Sequence, residues 1–240
     1  TAGPPIEVDF PDLDAWQAGN TGVPYVWRFA AERTGPRVTI QALTHGNEVC
    51  GAIAVKGLLD AGVRPRRGRI TLAFSNVEAY QRFDPDKPDA SRFVDQDFNR
   101  VWTEAALDDA SRDSSELRRA RAMRPLIDSV DLLLDLHSMH ERCAPLNVCG
   151  PLDKGIALAR ELGAPEWIIS DEGPPEGRRL RDFGDFGNPA SDKHALLIEC
   201  GQHWEAAAVD VAKDSCARFL LAAGEPVTSV ALSVAKYAHE

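Results

Sequence analysis

The sequence predicts an α/β fold, with a mixed, mostly parallel central sheet and helices on both of its faces. β-rich runs alternate with helical segments along the chain, which is the pattern of strands joined by crossover helices. The run 131–136, Asp-Leu-Leu-Leu-Asp-Leu, is almost continuously apolar, as expected of a strand that is buried on both faces of a sheet. With 240 residues, 44% of them hydrophobic, the chain can bury a substantial core.

The first elements are predicted to be two strands and a helix. Residues 25–30 and 37–43 are β-rich, and the turn-forming insert 32–36 between them favours a β-hairpin. The apolar spacing over 48–61 then predicts a helix that ends at Gly62.

The middle of the chain predicts a strand, a long loop and a further helix. Residues 69–74 are β-rich, and the polar stretch 76–97 indicates a loop of a length that is often functional. Residues 114–130 begin with a serine cap and have helical spacing, and Pro125 predicts that this helix is kinked or restarted. The buried strand 131–136 follows.

Strands and helices continue to alternate towards the end of the chain. Further strands are predicted at 146–149, 167–170 and 195–199, and further helices at 153–162 and 204–223. We expect residues 1–224 to form one domain and residues 225–240 to add a strand-like segment. The alternating run 227–234 could be a strand of a reduced second domain, an added edge strand or a pairing surface for another subunit.

Composition narrows the functional classes. The 27 Lys and Arg residues against 37 Asp and Glu residues give a formal net charge of −10, which argues against nucleic acid as a partner. No window reaches the roughly eighteen apolar residues of a membrane span, so no membrane partner is predicted. The five cysteines are odd in number and include no C-x-x-C pair, which argues against a disulfide framework or a thiolate zinc site and favours a reducing cytoplasm.

Two histidines and two glutamates stand where predicted strands end. His45 and Glu48 follow the strand 37–43, His137 follows 131–136, and Glu199 ends 195–199. Ligands bind at the carboxyl ends of strands in such folds, and three of these four residues would make a plausible zinc shell with the fourth as base. A His-x-x-Glu pair also arises by chance, so hydrogen-bonded structural roles remain an alternative.

Four motifs in this order resemble one enzyme family. They are Thr44-His-Gly-Asn-Glu-Val-Cys-Gly51, the segment Arg92 to Arg100 with its Asp-x-Asp-Phe-Asn-Arg, Asp135-Leu-His-Ser138 and Ile198-Glu-Cys-Gly201. In combination they look like the aspartoacylase and succinylglutamate desuccinylase family, which is itself similar to zinc carboxypeptidases. The resemblance covers about residues 37–224. It implies a zinc-carboxypeptidase-like fold, with residues 1–224 as the hydrolase domain.

The resemblance also implies a role for seven residues. One Zn²⁺ per chain would be held by His45, Glu48 and His137. The catalytic residues would be Glu199 and Arg92. The substrate carboxylate would be held by Asn99 and Arg100. Glu199 would serve as general base and acid, and Arg92 would polarise the scissile carbonyl. The guanidinium fork of an arginine suits a carboxylate.

The activity implied by the resemblance is zinc-dependent hydrolysis of a linear amide, which removes an acyl group from an N-acylated amino acid or a related small amine. The alternative in the same chemical class is a zinc metallocarboxypeptidase that acts on peptide C-termini. A third hypothesis is a binding module that kept the fold without catalysis, although such a module has no need of a base beside a metal site. The oligomeric state is left open, a homo-oligomer included.

The sequence departs from aspartoacylase at one substrate-binding position. In aspartoacylase a Tyr and an Arg shortly before the catalytic Glu hold the second carboxylate of the substrate, and residues 182–190 contain neither. Acetylaspartate is therefore not the expected substrate. Arg178, Arg179 and Arg181 could take over this function or be solvated loop residues. Asp135 could orient the imidazole of His137 if the strand is regular, or bind a backbone donor instead.

Overall fold

The computed structural model describes residues 4–224 and has a seven-stranded sheet at its centre. The strands are β1 (Val26–Ala30), β2 (Arg37–Ala42), β3 (Arg69–Phe74), β4 (Leu132–Met139), β5 (Leu146–Val148), β6 (Trp167–Ile169) and β7 (His194–Gln202). The helices are α1 (Val49–Asp60), α2 (Val77–Tyr80), α3 (Glu104–Asp108), α4 (Ser115–Asp128), α5 (Asp153–Leu162) and α6 (Ala206–Ala222).

The sheet is mixed and mostly parallel, as the sequence predicts. Its order is β1-β3-β2-β4-β7-β5-β6. Four neighbouring pairs are parallel, namely β2–β3, β2–β4, β4–β7 and β5–β6. The pairs β1–β3 and β5–β7 are antiparallel. The parallel strands β2, β4 and β7 lie in the interior of the sheet, so their carboxyl ends share one edge.

Helices cover both faces of the sheet and divide the core into two clusters. Helices α1, α5 and α6 pack on one face, together with Leu134 and Leu136 of β4. Helices α3 and α4 pack on the other face, where Leu133 of β4 points. Alternate side chains of β4 thus enter opposite clusters, which is why the first part of this strand, residues 132–136, is apolar except for Asp135.

The predicted hairpin between the first two strands is wrong. β1 pairs antiparallel with β3, and β2 lies on the other side of β3. Five of the six β2 residues are buried, and β2 is flanked by β3 and β4, whereas most of β1 is only half-buried. The more deeply buried strand occupies an interior position and the less buried one the edge, although β1 (Val-Trp-Arg-Phe-Ala) is the more apolar of the two, so neither the local turn signal nor the apolar content reveals the pairing.

Two other predictions need correction, and a third lies outside the described part of the chain. Helix α4 does not restart at Pro125, because the proline lies in the last turn of one uninterrupted helix. The predicted loop 76–97 contains the short helix α2 and a 3₁₀ turn at Pro88–Ser91. The predicted strand 227–234 lies outside the described residues, so the division at residue 224 stays a prediction. Within residues 4–224, the helices are too short or too polar to cross a bilayer.

Candidate active site

The sheet register brings two of the candidate residues together. His137 on β4 is paired directly with Glu199 on the parallel neighbour β7. The register shifts just beyond this pair, between His137 and Met139, at the carboxyl ends of the two strands. Two acid–base side chains are therefore held on rigid elements at the edge of the sheet where ligands bind in such folds.

The loop after β2 carries the other two candidate residues, His45 and Glu48. Its chain direction changes at Leu43, which has a φ of 61°, and Glu48 then caps the start of α1 without a side-chain capping bond. Gly46 allows the loop to pack closely against neighbouring backbone, because a Cβ there would lie 2.4 Å from the carbonyl oxygen of Ser91. The Gly46 N–H also donates to the Arg92 carbonyl at 3.0 Å, so the two loops are joined.

His45, Glu48 and His137 form a buried cluster that could hold a metal ion. Each offers a ligand atom within 4.8 Å of the others. The Oε1 of Glu48 lies 2.6 Å from His45 Nδ1, and its Oε2 lies 2.9 Å from His137 Nδ1. All three residues are 3% exposed or less. Two imidazole nitrogens and one carboxylate are a common donor set of catalytic zinc sites, which keep a further position open.

A carboxylate stands behind each of the two imidazoles. His45 Nε2 lies 2.9 Å from Asp97 Oδ1, and His137 Nε2 lies 2.9 Å from Asp135 Oδ2. Asp135 is held in turn by Gln41 and by the hydroxyl of Thr44, which donates to its Oδ1 at 2.8 Å. Such partners fix the orientation of an imidazole and leave its Nδ1 to face a metal. Of the two roles weighed for Asp135, the structure shows the contact with the imidazole, at ion-pair distance and without hydrogen-bond geometry.

The charges in the cluster favour an ionised Glu48. Burial would raise the pKa of Glu48, but the two imidazoles hold it well below its ordinary value. Burial likewise would lower the pKa of His45 and of His137, and their carboxylate partners raise both. Burial opposes ionisation of Asp97 too, yet His45 and Arg92 lower its pKa. The cluster is therefore a set of buried charges that compensate one another.

Glu199 and Arg92 border the cluster. Burial raises the pKa of Glu199 to about 7, against the opposing effect of His137, and its Oε2 has no hydrogen-bond partner among the described residues. The Arg92 guanidinium lies 3.0 Å from His45 Nε2 and 3.3 Å from Glu48 Oε1, and it remains 37% exposed. One side of the cluster thus has an unpartnered carboxylate oxygen and a cation that reaches solvent.

Asn99 and Arg100 lie in a 3₁₀ turn just after Asp97. Asn99 is buried, and its Oδ1 accepts a hydrogen bond from the Leu180 N–H at 3.0 Å, so the side-chain oxygen is engaged and the amide nitrogen is the remaining donor of this side chain. Arg100 is half-buried and donates to the Asn99 carbonyl at 2.9 Å. Both residues lie in the loop that contacts the cluster, and their carboxylate-binding role stays a prediction.

The three arginines considered as replacement substrate ligands differ in their surroundings. Arg179 pairs with Asp171, and the buried Arg181 pairs with both Asp171 and Asp182. Arg178 lines a cavity of about 710 Å³ together with Trp102 and other residues, none of which belongs to the metal cluster. Arg179 and Arg181 are therefore paired with carboxylates within their own loop, whereas Arg178 lines this cavity and, together with Arg179, a second one of about 360 Å³.

Sequence reasoning did not assign two contacts that shape the cluster. Asp97 belongs to the Asp-x-Asp-Phe-Asn-Arg segment, but its contact with His45 spans 52 residues and carries no periodic signal. The backbone N–H of Ser138 donates to Glu48 Oε2 at 3.2 Å, which no side-chain motif encodes. For the first contact, the available signal was the position of Asp97 within one of the four motifs.

Comparison with known proteins identifies the family. Residues 34–221 match the model of the succinylglutamate desuccinylase/aspartoacylase catalytic domain. The chain belongs to this family. The zinc-carboxypeptidase-like fold that the resemblance implies agrees with the mixed sheet and with the folds of this family's solved members. No curated protein matches the chain in the corresponding search.

Several solved structures of the desuccinylase/aspartoacylase family have a similar fold. A succinylglutamate desuccinylase/aspartoacylase from Rhodobacter sphaeroides is 20% identical, with a TM-score of 0.61 over 83% of this chain and 58% of that one. An aspartoacylase family protein from Mesorhizobium loti is 24% identical, with a TM-score of 0.61 over 86% and 62%. Murine aminoacylase 3 is 22% identical, with a TM-score of 0.55 over 80% and 67%. The chain thus spans about three fifths of the first two proteins.

Proposed function

We propose that this desuccinylase/aspartoacylase family member is a zinc-dependent amide hydrolase that removes an acyl group from an N-acylated amino acid or a related small amine. The observation that carries the proposal is the buried His45–Glu48–His137 cluster with the unpartnered carboxylate of Glu199 beside it. Membership in the family supports the acyl-transfer chemistry, since its solved members include proteins named as desuccinylases and as an aminoacylase.

Zinc fits the donor set, and His45, Glu48 and His137 would hold it. When bound, zinc lowers the pKa of a coordinated water and polarises a carbonyl oxygen. The cluster has oriented donors, because Asp97 and Asp135 stand behind the two imidazoles. Its burial also excludes bulk water from the ligands, which strengthens electrostatic interactions inside the site.

Glu199 is the proposed proton carrier. Its carboxylate accepts a proton from the attacking water, the water oxygen adds to the amide carbonyl carbon, and Glu199 returns the proton to the leaving nitrogen as the C–N bond breaks. The products are a carboxylate and a free amine. A pKa near 7 suits this double role, because such a group both takes up and releases a proton at neutral pH.

Arg92 is proposed to stabilise the oxygen that becomes negative during the attack. Its guanidinium lies beside the cluster and is partly exposed, so it can donate to a bound carbonyl oxygen. Asn99 and Arg100 are proposed to hold the substrate carboxylate, with the Asn99 amide nitrogen and the Arg100 guanidinium as donors. These residues would suit the α-carboxylate of an acyl amino acid or of a peptide.

The test is amine release by zinc-loaded protein from two substrate panels. One panel contains N-acyl amino acids that vary in the acyl and amino-acid parts, and the other contains N-blocked dipeptides. We expect release from the first panel that a chelator abolishes and added zinc restores. Turnover of the dipeptides alone would replace the deacylase by the metallocarboxypeptidase. No metal-dependent release from either panel would contradict the proposed hydrolase.

A further inference from the structure

The segment 92–97 carries two of the residues that touch His45. Arg92 Nη2 lies 3.0 Å and Asp97 Oδ1 lies 2.9 Å from the same ring nitrogen, Nε2. Arg92 and Asp97 are also within 3.3 Å of each other. The path of the chain that joins them therefore determines whether both side chains meet the imidazole.

A buried carboxylate from another element holds the middle of this segment. The backbone N–H groups of Val94, Asp95 and Gln96 donate to the carboxylate of Glu116, at 2.7, 3.1 and 3.2 Å. Glu116 lies in the first turn of α4 and is 0% exposed. The Asn76 side-chain amide supplies a fourth hydrogen bond, at 3.0 Å. The carboxylate thus receives four uncharged donors, three of them consecutive along the chain.

The start of α4 and the segment contact each other in both directions. The Ser115 N–H donates to Asp95 Oδ2 at 2.7 Å, and the Gln96 side chain donates to the hydroxyl of Ser114, the cap of the helix. A carboxylate in the first helical turn is also favoured by the helix dipole. These contacts fix the segment against a long helix that packs on the core.

We propose that Glu116 is a positioning residue for the active site: its carboxylate binds the backbone of residues 94–96 and so places Arg92 and Asp97 against His45. This role rests on the proposed function. An anionic acceptor is needed because three N–H groups converge on it, and a neutral amide in its place would direct an N–H₂ group at one of these donors. Loss of the charge therefore displaces the segment while leaving the metal ligands unchanged.

The principal variant is Glu116→Gln, with Asp113→Asn as its matched control. Asp113 lies just before α4, and its exposed carboxylate pairs with Arg118 without contacting the segment. We expect Glu116→Gln to lower kcat/KM by about 10- to 100-fold, the range for residues that orient active-site groups, and Asp113→Asn to leave it unchanged. Glu116→Asp keeps the charge on a shorter side chain and serves if the glutamine variant does not fold.

A double-mutant cycle with Arg92→Ala separates positioning from a general loss of structure. Because Glu116 acts partly through Arg92, removing its charge should lower kcat/KM less in the Arg92→Ala background than in wild type, and the remaining loss is the part that runs through Asp97. An equal loss in both backgrounds would overturn the proposal, as would a Glu116→Gln protein with wild-type kcat/KM.

Two measurements do not depend on turnover and so remain decisive if the proposed hydrolase activity fails. Amide hydrogen exchange at residues 94–96 should be faster in Glu116→Gln than in Asp113→Asn, and the affinity for Co²⁺, measured by competition with a chelator, should fall because Asp97 no longer orients His45. Unchanged exchange and unchanged Co²⁺ affinity would refute the positioning role. If exchange is faster and Co²⁺ affinity is lower in Glu116→Gln, but the wild-type protein hydrolyses no amide of the panels, the positioning role is supported and only the proposed function is contradicted.

Discussion

The environment of Glu199 differs from that of an ordinary surface glutamate. Burial raises its pKa from 4.5 to about 7, and its Oε2 lacks a partner among the described residues. An unpaired carboxylate of this kind costs stability whenever it is ionised, and proteins retain such groups mainly where they are used.

Because of this cost, the free energy of unfolding of the metal-free protein should depend on pH. The folded state of wild type binds the Glu199 proton more tightly than the unfolded state, so its stability is reduced as the pH rises from about 4.5 through 7. Glu199→Gln removes the ionisation. We expect the variant to be more stable than wild type by up to about 3 kcal/mol at pH 8 and equally stable near pH 4.5. Chemical denaturation of chelator-treated protein at both pH values measures the difference; a difference independent of pH would contradict the assignment.

Asp97 should contribute to zinc affinity by orienting His45, not by binding the zinc ion itself. Asp97→Asn replaces the acceptor at His45 Nε2 by an amide. We expect zinc affinity to fall by about 10- to 100-fold, as for other residues that orient a ligating imidazole. The exposed Asp86, in the same loop, provides the control Asp86→Asn. Equal zinc affinity of the two variants, measured by chelator competition, would exclude the orienting role.

The strand ends made part of the site predictable from sequence. His137 follows and Glu199 ends an apolar run that predicts an interior strand, and parallel neighbours bring such positions side by side. Asp97 and Glu116 have no such signal, because each acts on a loop through contacts between elements distant in sequence. The ion pairs of Arg179 and Arg181 with Asp171 could not be predicted from the sequence either, because ion pairs within a loop have no periodic pattern.

At the scale of elements, the close approach of α1 to the sheet sets the position of Glu48. Gly51 allows this approach, because a Cβ there would lie 2.8 Å from Leu136 Cβ and 2.9 Å from Ala42 Cβ. Both neighbours are attached directly to strand backbone and cannot turn away. Helix α1 would have to move outward to admit a methyl group at this position.

A pair of glycine variants in α1 tests this packing. Gly51→Ala should destabilise the protein by about 1–3 kcal/mol through overpacking and weaken metal binding, because Glu48 precedes the displaced helix. Gly57, in the same helix, is exposed, and no atom lies within 4 Å of the position that a Cβ would occupy there. Gly57→Ala should therefore be neutral or stabilise the protein by about 1 kcal/mol. Thermal unfolding measures both, and equal effects of the two substitutions would contradict the packing role of Gly51.

The predicted hairpin is wrong because local sequence patterns indicate where strands lie but not which strands pair. The segment 25–43 has two β-rich runs and a turn between them, yet the two strands are separated in the sheet by β3. Pairing partners depend on how all the strands and the helices that cover them pack together, and the edge strand β1 is even more apolar than the interior strand β2. The residues of a local turn do not determine this order of strands.

At the scale of the whole molecule, the sheet separates two packed layers, and the candidate functional groups lie at one of its edges. The strands β2, β4 and β7 run parallel, and the loop after the first, together with the ends of the other two, supplies His45, Glu48, His137 and Glu199. This architecture was predictable because alternating strands and helices leave few topologies. The cytoplasmic location and the strand-like segment at residues 225–240 stay predictions.

The most direct test of the proposed mechanism is the turnover of zinc-loaded Glu199→Gln on the best substrate from the acyl amino acid panel. The variant should bind about one zinc ion per chain, like wild type, since Glu199 is not a proposed ligand. Its kcat should be lower by about 100-fold or more, with KM within a few-fold, because the proton carrier is lost and the substrate contacts remain. A zinc-loaded variant with kcat close to wild type would contradict the assignment of Glu199 as the base.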